Sequence, residues 1–425
     1  MAIANDVVAG HAVSLAAAVI LAVAAMAPQS EIKPAMRLLA QFSLAILFPI
    51  FWMILQIIPL PFSSLANPIW STASSALNEP SMPVRISLDP GATFRSLFLY
   101  LTILSLTVAM VIVGRDRRNA ETIFLVLATV TTFMSLEMLL SRLESFAGMM
   151  PASSVNFIAI AALGTLINFA VVIMAIERHL TRRNSEASYR ASLLFGLALG
   201  LIGLAVCLSA MKVFAPGNVF AATAVGFSAI IFVAVARRIE LGAWISVLLF
   251  AAFSGVAATL IVPRFEYGPS AGIARFATSA TAESLAMAKR AGSDLPWLGN
   301  GVGTFKSLTQ IYRDFGSALV PEPPSTAVAV ATEWGQPALV VLAGLTILLI
   351  VALLLGAVRR GRDSFFPSAA AAGVLVILGE AFCDSSLLNP TVQIIVAILI
   401  GLGVSQSVGR TPWSDDQITH SGHRS

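Results

Sequence analysis

The chain has 425 residues, 57% hydrophobic and only 11% charged, with 26 Lys plus Arg against 22 Asp plus Glu and a formal net charge of +4. A mean hydropathy of +0.86 excludes a water-soluble globule, because too little polar side chain is present to cover one. The basic balance, with a pI near 9.4, falls mostly in short loops between apolar runs; there it suits anionic lipid and gives no support for nucleic-acid binding.

In chain order, apolar runs occur at 11–27, 36–60, 95–113, 121–140, 155–176, 191–211, 219–236, 241–262, 337–357, 365–383 and 391–408. A helix needs about 20 residues to cross a hydrocarbon core of ~30 Å, so these runs predict about eleven spans. The expected fold is an all-α polytopic transmembrane bundle of about 10–12 spans. It forms one integral-membrane domain over 1–408, followed by a polar, disordered tail over 409–425. The first run has no Lys or Arg before it and reads as a span rather than a cleaved signal peptide. Segment 61–94, rich in Pro, Ser and Asn, reads as turns.

Orientation follows from the basic residues. One alternating set of loops holds Lys33, Arg37, Arg115, Arg117, Arg118, the run from Arg178 to Arg190, Arg237, Arg238, Arg359, Arg360, Arg362, Arg410 and Arg424. The opposite set, leaving out 263–336, holds Arg85, Arg95, Arg142 and Lys212. Roughly sixteen against four puts the first set in the cytoplasm by the positive-inside rule. Segments 61–94 and 263–336 then face the far side, periplasmic in a two-membrane bacterium, with the C-terminus inside.

Few chemically distinctive residues lie within the spans. Cys207 and Cys383 have no CxxC spacing and read as small core residues. The histidines are His11, His179, His420 and His423, none of them in a long outward loop. Glu137 and Glu380 lie within runs and Asp384 at an outer edge. That is sparse for a coupled ion pathway, and no inverted pair of Gly/Pro-broken helices supports a transporter.

The longest polar excursion is 263–336. Residues 274–291 pattern as an amphipathic helix with Phe276, Ala280, Leu285 and Ala288 on one side, ended by Gly292. A glycine-rich turn runs from Pro296 to Phe305, then a second helix through Tyr312 to Asp314. After Pro321-Glu-Pro-Pro324, Ser325 or Thr326 is placed to cap a helix running through Glu333. Gly299-x-Gly301-x-Gly303 lacks the strand and crossover of a dinucleotide fingerprint. It reads as a tight turn where backbone comes close to another group.

Two stretches of this loop resemble the signature of the O-antigen ligase and polymerase family of bacterial polysaccharide assembly. They are Leu295-Pro-Trp-Leu-Gly-Asn-Gly-Val-Gly-Thr-Phe305 with Tyr312, and Ala331-Thr-Glu-Trp-Gly-Gln-Pro-Ala-Leu339. Trp52-Met-Ile-Leu-Gln-Ile-Ile-Pro-Leu-Pro61 and Ile86-Ser-Leu-Asp-Pro-Gly-Ala-Thr93 are similar to the N-terminal half of its exopolysaccharide-polymerase branch. The polar positions diverge. The family's Ala-His-Asn before the Glu-x-Gly step falls on Pro324-Ser325, so its His is absent. In the Asn-x-Asn-His-Phe-Ala segment Asn156 remains, and Lys212 stands in the region of the family's Ser-Arg-Gly.

The resemblance implies transfer of a glycan from a polyprenyl-diphosphate-linked oligosaccharide to an acceptor hydroxyl, inverting and without metal or other cofactor. The departing diphosphate then needs cations. Arg264, Arg275, Lys289, Arg290 and Lys212 are the candidates, with Asn156 and Tyr312 as further substrate contacts. Glu333, ahead of Glu322, Asp314 and Asp294, is the candidate base. Further expected partners are membrane lipid and other polysaccharide-assembly proteins. The competing expectations are a homologue that binds the carrier or scaffolds an assembly complex without turnover, and a transporter or flippase.

Overall fold

A computed structural model describes residues 18, 22, 29–61, 63–142, 158–181, 187–239, 242, 244–252, 273, 276–277, 282–293, 296–312, 322–360 and 364–407. These are helical apart from turns and extended links. We number the helices α1 (Gln29–Gln41), α2 (Ser43–Ile57), α3 (Ile69–Leu77), α4 (Pro90–Val113), α5 (Arg117–Leu140), α6 (Ile158–Thr181), α7 (Ala187–Phe214), α8 (Gly217–Arg238), α9 (Ala282–Ser293), α10 (Phe305–Tyr312), α11 (Thr326–Trp334), α12 (Gln336–Arg359), α13 (Phe365–Cys383) and α14 (Pro390–Ser407).

Eight of them, α4 to α8 and α12 to α14, are long and apolar enough to span a membrane, and α1 with α2 makes a ninth if that pair, bent by 65° next to Phe42, is one span. The chain is a polytopic helical membrane protein. All of the expected first span but residues 18 and 22, and most of 241–262, lie outside the described residues; within the latter, 244–252 are helical.

Local chemistry sets the helix starts. Asp89 caps α4, its carboxylate accepting from Ala92 N at 3.0 Å with Pro90 in the first turn. Asp116 does the same for α5 through Arg118 N. Each cap satisfies a donor that the helix itself leaves open.

The core is built around α6 and α13, whose span windows are 83% and 72% buried, whereas α12 is only 22% buried and lines the outside. α6 packs on α5, α7 and α13, and α13 on α8, α12 and α14. Close approach depends on small side chains, as expected where lipid tails compete with apolar packing. A Cβ on Gly403 of α14 would lie 2.2 Å from that of Ala370. A polar seam links α5, α6 and α7: Asn168 Nδ2 donates to Thr132 Oγ1 at 3.0 Å and lies 3.8 Å from Cys207 Sγ.

The two ends of the bundle differ. At one, Arg237 pairs with Glu177 at 3.0 Å and bonds Ser364 Oγ, while Gln406 Nε2 donates to the Gly114 carbonyl. This basic end gathers the loops that carry Arg115 to Arg118, Arg237, Arg238, Arg359 and Arg360. The other end, here the loop end, holds 58–89, 296–335 and 384–389.

Two local expectations need correction. Segment 61–94 is not turns alone: it contains a 3-10 turn at Ser63–Leu65 and the helix α3, closed by Asn78 at φ 55°. The amphipathic helix is shorter at its start, with Ala277 non-helical, and continues past Gly292 to Ser293. It buries Ser284, Met287, Ala288 and Ala291, while Leu285 is only half-buried.

Candidate functional site

The loop end is closed by a clasp of hydrogen bonds joining segments far apart in sequence. Gln56, at the end of α2 and fully buried, donates from Nε2 to the carbonyls of Leu298 at 2.9 Å and Glu333 at 3.0 Å. Its Oε1 accepts from Val302 N at 3.1 Å. Asn67 Nδ2 donates to Asn300 Oδ1 at 2.8 Å, and Asn300 Nδ2 to the Thr332 carbonyl at 3.1 Å. Trp52 Nε1 reaches the Trp334 carbonyl at 2.9 Å.

Backbone bonds complete the weave. Asn300 N and Gly301 N donate to the carbonyls of Thr332 and Glu333, each at 3.0 Å, and Leu88 N donates to the Asn300 carbonyl at 2.7 Å. The glycine turn is therefore the tight, close-approach element that its sequence suggests. Gly299, Gly301, Gly303 and Gly335 all have positive φ. At Gly301 a Cβ would fall 2.3 Å from Ser87 Oγ, so only glycine lets the turn lie against 86–89.

Ser325 caps α11, its Oγ accepting from Val328 N at 3.3 Å. The helix ends at Gly335, where φ 89° and ψ 157° redirect the chain into α12. Glu333 lies two residues before that break, 8% exposed. Its Oε1 accepts from Phe305 N, the first residue of α10, at 3.0 Å, and Gly303 N–H bonds the same carboxyl. Burial pushes the Glu333 carboxyl up from 4.5 to about 7, against the opposing pull of those two backbone donors.

α9 packs against α10 and α11. It carries Lys289, exposed, and Arg290, half-buried with Nε 3.4 Å from the Ala286 carbonyl. Tyr312 ends α10, half-buried. These expected site residues thus share one helical layer with Glu333. Lys212 does not join the clasp: it is exposed at the end of α7, beside Phe214, whose ring holds the Arg142 guanidinium at 5.2 Å. Asn156, Arg264, Arg275, Asp294 and Asp314 lie outside the described residues, and Glu322 is exposed.

A second polar cluster borders the first. Thr326 bonds the Asp384 carbonyl through N at 2.8 Å and Oγ1 at 3.0 Å. Asp384 Oδ1 accepts from Ser386 N and Oγ, and burial raises its carboxyl despite those bonds. Glu380, one turn back in α13 and fully buried, has no hydrogen bond to either carboxylate oxygen among the described residues. Glu137, by contrast, is exposed in the last turn of α5.

Sequence reasoning passes over Gln56, Asn67 and Asn300. The available signal for Gln56 is a lone amide in the otherwise apolar stretch from Phe51 to Leu60. For the clasp we expect Gln56→Leu to leave Val302 N and the Leu298 carbonyl unsatisfied. At roughly 1–3 kcal/mol for each buried orphan, the net loss should be about 2 kcal/mol. Thermal unfolding in detergent and faster proteolysis near Gly299 would report it; unchanged values in both would show that the amide is dispensable.

Compared with known proteins, the chain matches no family model and no curated relative.

Proposed function

We propose that this chain transfers a glycan from a polyprenyl-diphosphate-linked oligosaccharide to an acceptor hydroxyl. In this reading the loop end faces the extracytoplasmic side of a bacterial cytoplasmic membrane, and the product is a surface or exported polysaccharide. The observation that carries the reading is Glu333: a buried carboxyl at the loop end, pushed up to about 7, in a layer that also contains Lys289 and Arg290. A base works best when its pKa lies near the working pH.

In this mechanism the acceptor oxygen attacks the anomeric carbon as the bond to the diphosphate oxygen breaks. The acceptor proton passes to Glu333, and the negative charge growing on the diphosphate is met by the cations of α9. The family His is not needed if Glu333 fills its place.

The test follows lipid-linked repeats and polymer in a deletion strain complemented by wild type, Glu333→Gln or Arg290→Ala at equal membrane levels. We expect wild type to restore polymer and Glu333→Gln to slow it ~10²–10⁴-fold, the usual loss of a general base, with repeats accumulating. A second reading, a homologue that binds the carrier without turnover, is favoured by the hydrogen bonds Glu333 makes to Gly303 and Phe305. A carboxyl engaged in holding a turn closed needs no other task. Polymer levels unchanged in both variants would select that reading.

A further inference from the structure

Four of the six tryptophans, Trp52, Trp70, Trp297 and Trp334, lie at the loop end. Three of them are partly buried, and two of these spend their indole N–H on the clasp or its flank: Trp52 on the Trp334 carbonyl, and Trp70 on that of Ser87 at 3.1 Å. Trp297 is different. It is 82% exposed, although its backbone is held on both sides. Gly299 N donates to the Pro296 carbonyl at 3.0 Å, and Gln56 fixes the Leu298 carbonyl. A large apolar side chain displayed from an anchored turn calls for something to cover it.

The neighbouring helix supplies the depth. Gly335 abuts the Trp297 carbonyl so closely that a Cβ there would lie 2.2 Å from its oxygen. α12 starts at the next residue and runs 24 residues to Arg359. At 1.5 Å per residue it is about 36 Å long, a few ångströms more than a ~30 Å hydrocarbon core. With Arg359 and Arg360 at one headgroup layer, Gln336 reaches the other. Trp297 then sits at the lipid–water boundary, where an indole places its apolar body in lipid and its N–H among headgroups. The lipid-facing surface begins beside it: Val340 of α12 is 70% exposed, and Ile54 and Ile58, flanking Gln56, are 40% and 49% exposed.

We propose that the clasp is seated in the headgroup layer of the bilayer, with Trp297 as its anchor. The occupant of this face is lipid, not water, a second copy of the chain or another protein. A substrate that reaches Glu333 then does so at the depth of lipid phosphates. The inference does not depend on the glycan-transfer reading, since its test needs no activity.

The experiment places an environment-sensitive fluorophore on Trp297→Cys in the full chain. Cys207 and Cys383 are buried and stay unlabelled, and the bonds that hold the turn around residue 297 run to the Pro296 and Leu298 carbonyls rather than to the Trp297 side chain, so the exchange leaves them intact. The protein is reconstituted in phosphatidylethanolamine–phosphatidylglycerol vesicles containing lipids with a nitroxide at the headgroup or at the twelfth acyl carbon. Val340→Cys serves as the deeper reference. We expect the label at 297 to be quenched at least threefold more by the headgroup nitroxide than by the acyl one, with the order reversed at 340. Quenching at 297 by aqueous iodide with no lipid dependence would overturn the proposal. Protection from every quencher would overturn it as well and point to a protein partner.

Discussion

Replacing Gly335 by valine is expected to open the loop end and destabilise the protein by about 4 kcal/mol. The residue occupies a backbone region, φ 89° and ψ 157°, that is essentially reserved for glycine and costs of order 1–3 kcal/mol for other residues. The new side chain would also meet backbone: its Cβ would lie 2.2 Å from the Trp297 carbonyl oxygen and 3.0 Å from Gly299 N. Neither atom can swing aside as a flexible side chain would, and forced overpacking adds about 1–3 kcal/mol. Thermal unfolding in detergent, followed by thiol-dye access to the buried Cys207 and Cys383, checks this. An unfolding temperature within a degree of wild type would show that the α11–α12 break tolerates a side chain.

The second large effect is a pH dependence of stability that runs opposite to that of a salt-bridged carboxylate. The Glu333 carboxyl is held at about 7 in the folded chain against 4.5 ordinarily, so the folded state keeps a proton that the unfolded state releases. Its contribution is fully present below pH 4.5 and is lost as pH rises through about 7. The slope follows from the extra bound proton, and at 1.36 kcal/mol per pKa unit the change is on the order of 3 kcal/mol. Stability should therefore fall between pH 4.5 and 7, and Glu333→Gln, neutral at every pH, should flatten that fall. A fall of the same size in the variant would assign it to other groups. The same titration bears on the proposed reaction, because the base is competent only after losing its proton: polymer formation should rise with pH over the interval in which stability declines.

Much of this architecture is readable in the sequence because hydrocarbon imposes one rule on every span. Unpaired backbone is intolerable there, so a long apolar run becomes a helix. The glycine turn and the Ser325 cap are readable for a similar reason, each answering a local steric or hydrogen-bonding demand. α3 escapes notice because Ile69–Leu77 is short, rich in Ser and Ala, and flanked by prolines, so its helical state owes more to its surroundings than to propensity. The clasp is the least legible part. Gln56 reads as an incidental amide in a greasy helix until Leu298, Val302 and Glu333 are brought to it, and nothing local to residue 56 announces partners more than two hundred positions away. Glu333 stands out in the sequence as a lone acid, yet its bond to the start of α10 depends on how the glycine turn folds back.

Those long separations also govern when the protein becomes whole. Trp52 and Trp334 are 282 positions apart, so on a ribosome adding ~5–20 residues per second the end of α2 waits roughly 15–55 s for its partner to be made. Until Leu298 and Asn300 are made, Gln56 and Asn67 have none of their cross-chain acceptors, and the segment from Leu60 to Asp89 is held only by α3, its own turns and the bond from Ser87 N to the Gln56 carbonyl. Closure at the loop end thus waits until five of the eight long spans have been made, and a nascent chain stalled before Gly335 emerges would be inserted in the membrane yet unlatched, a natural substrate for quality-control proteolysis.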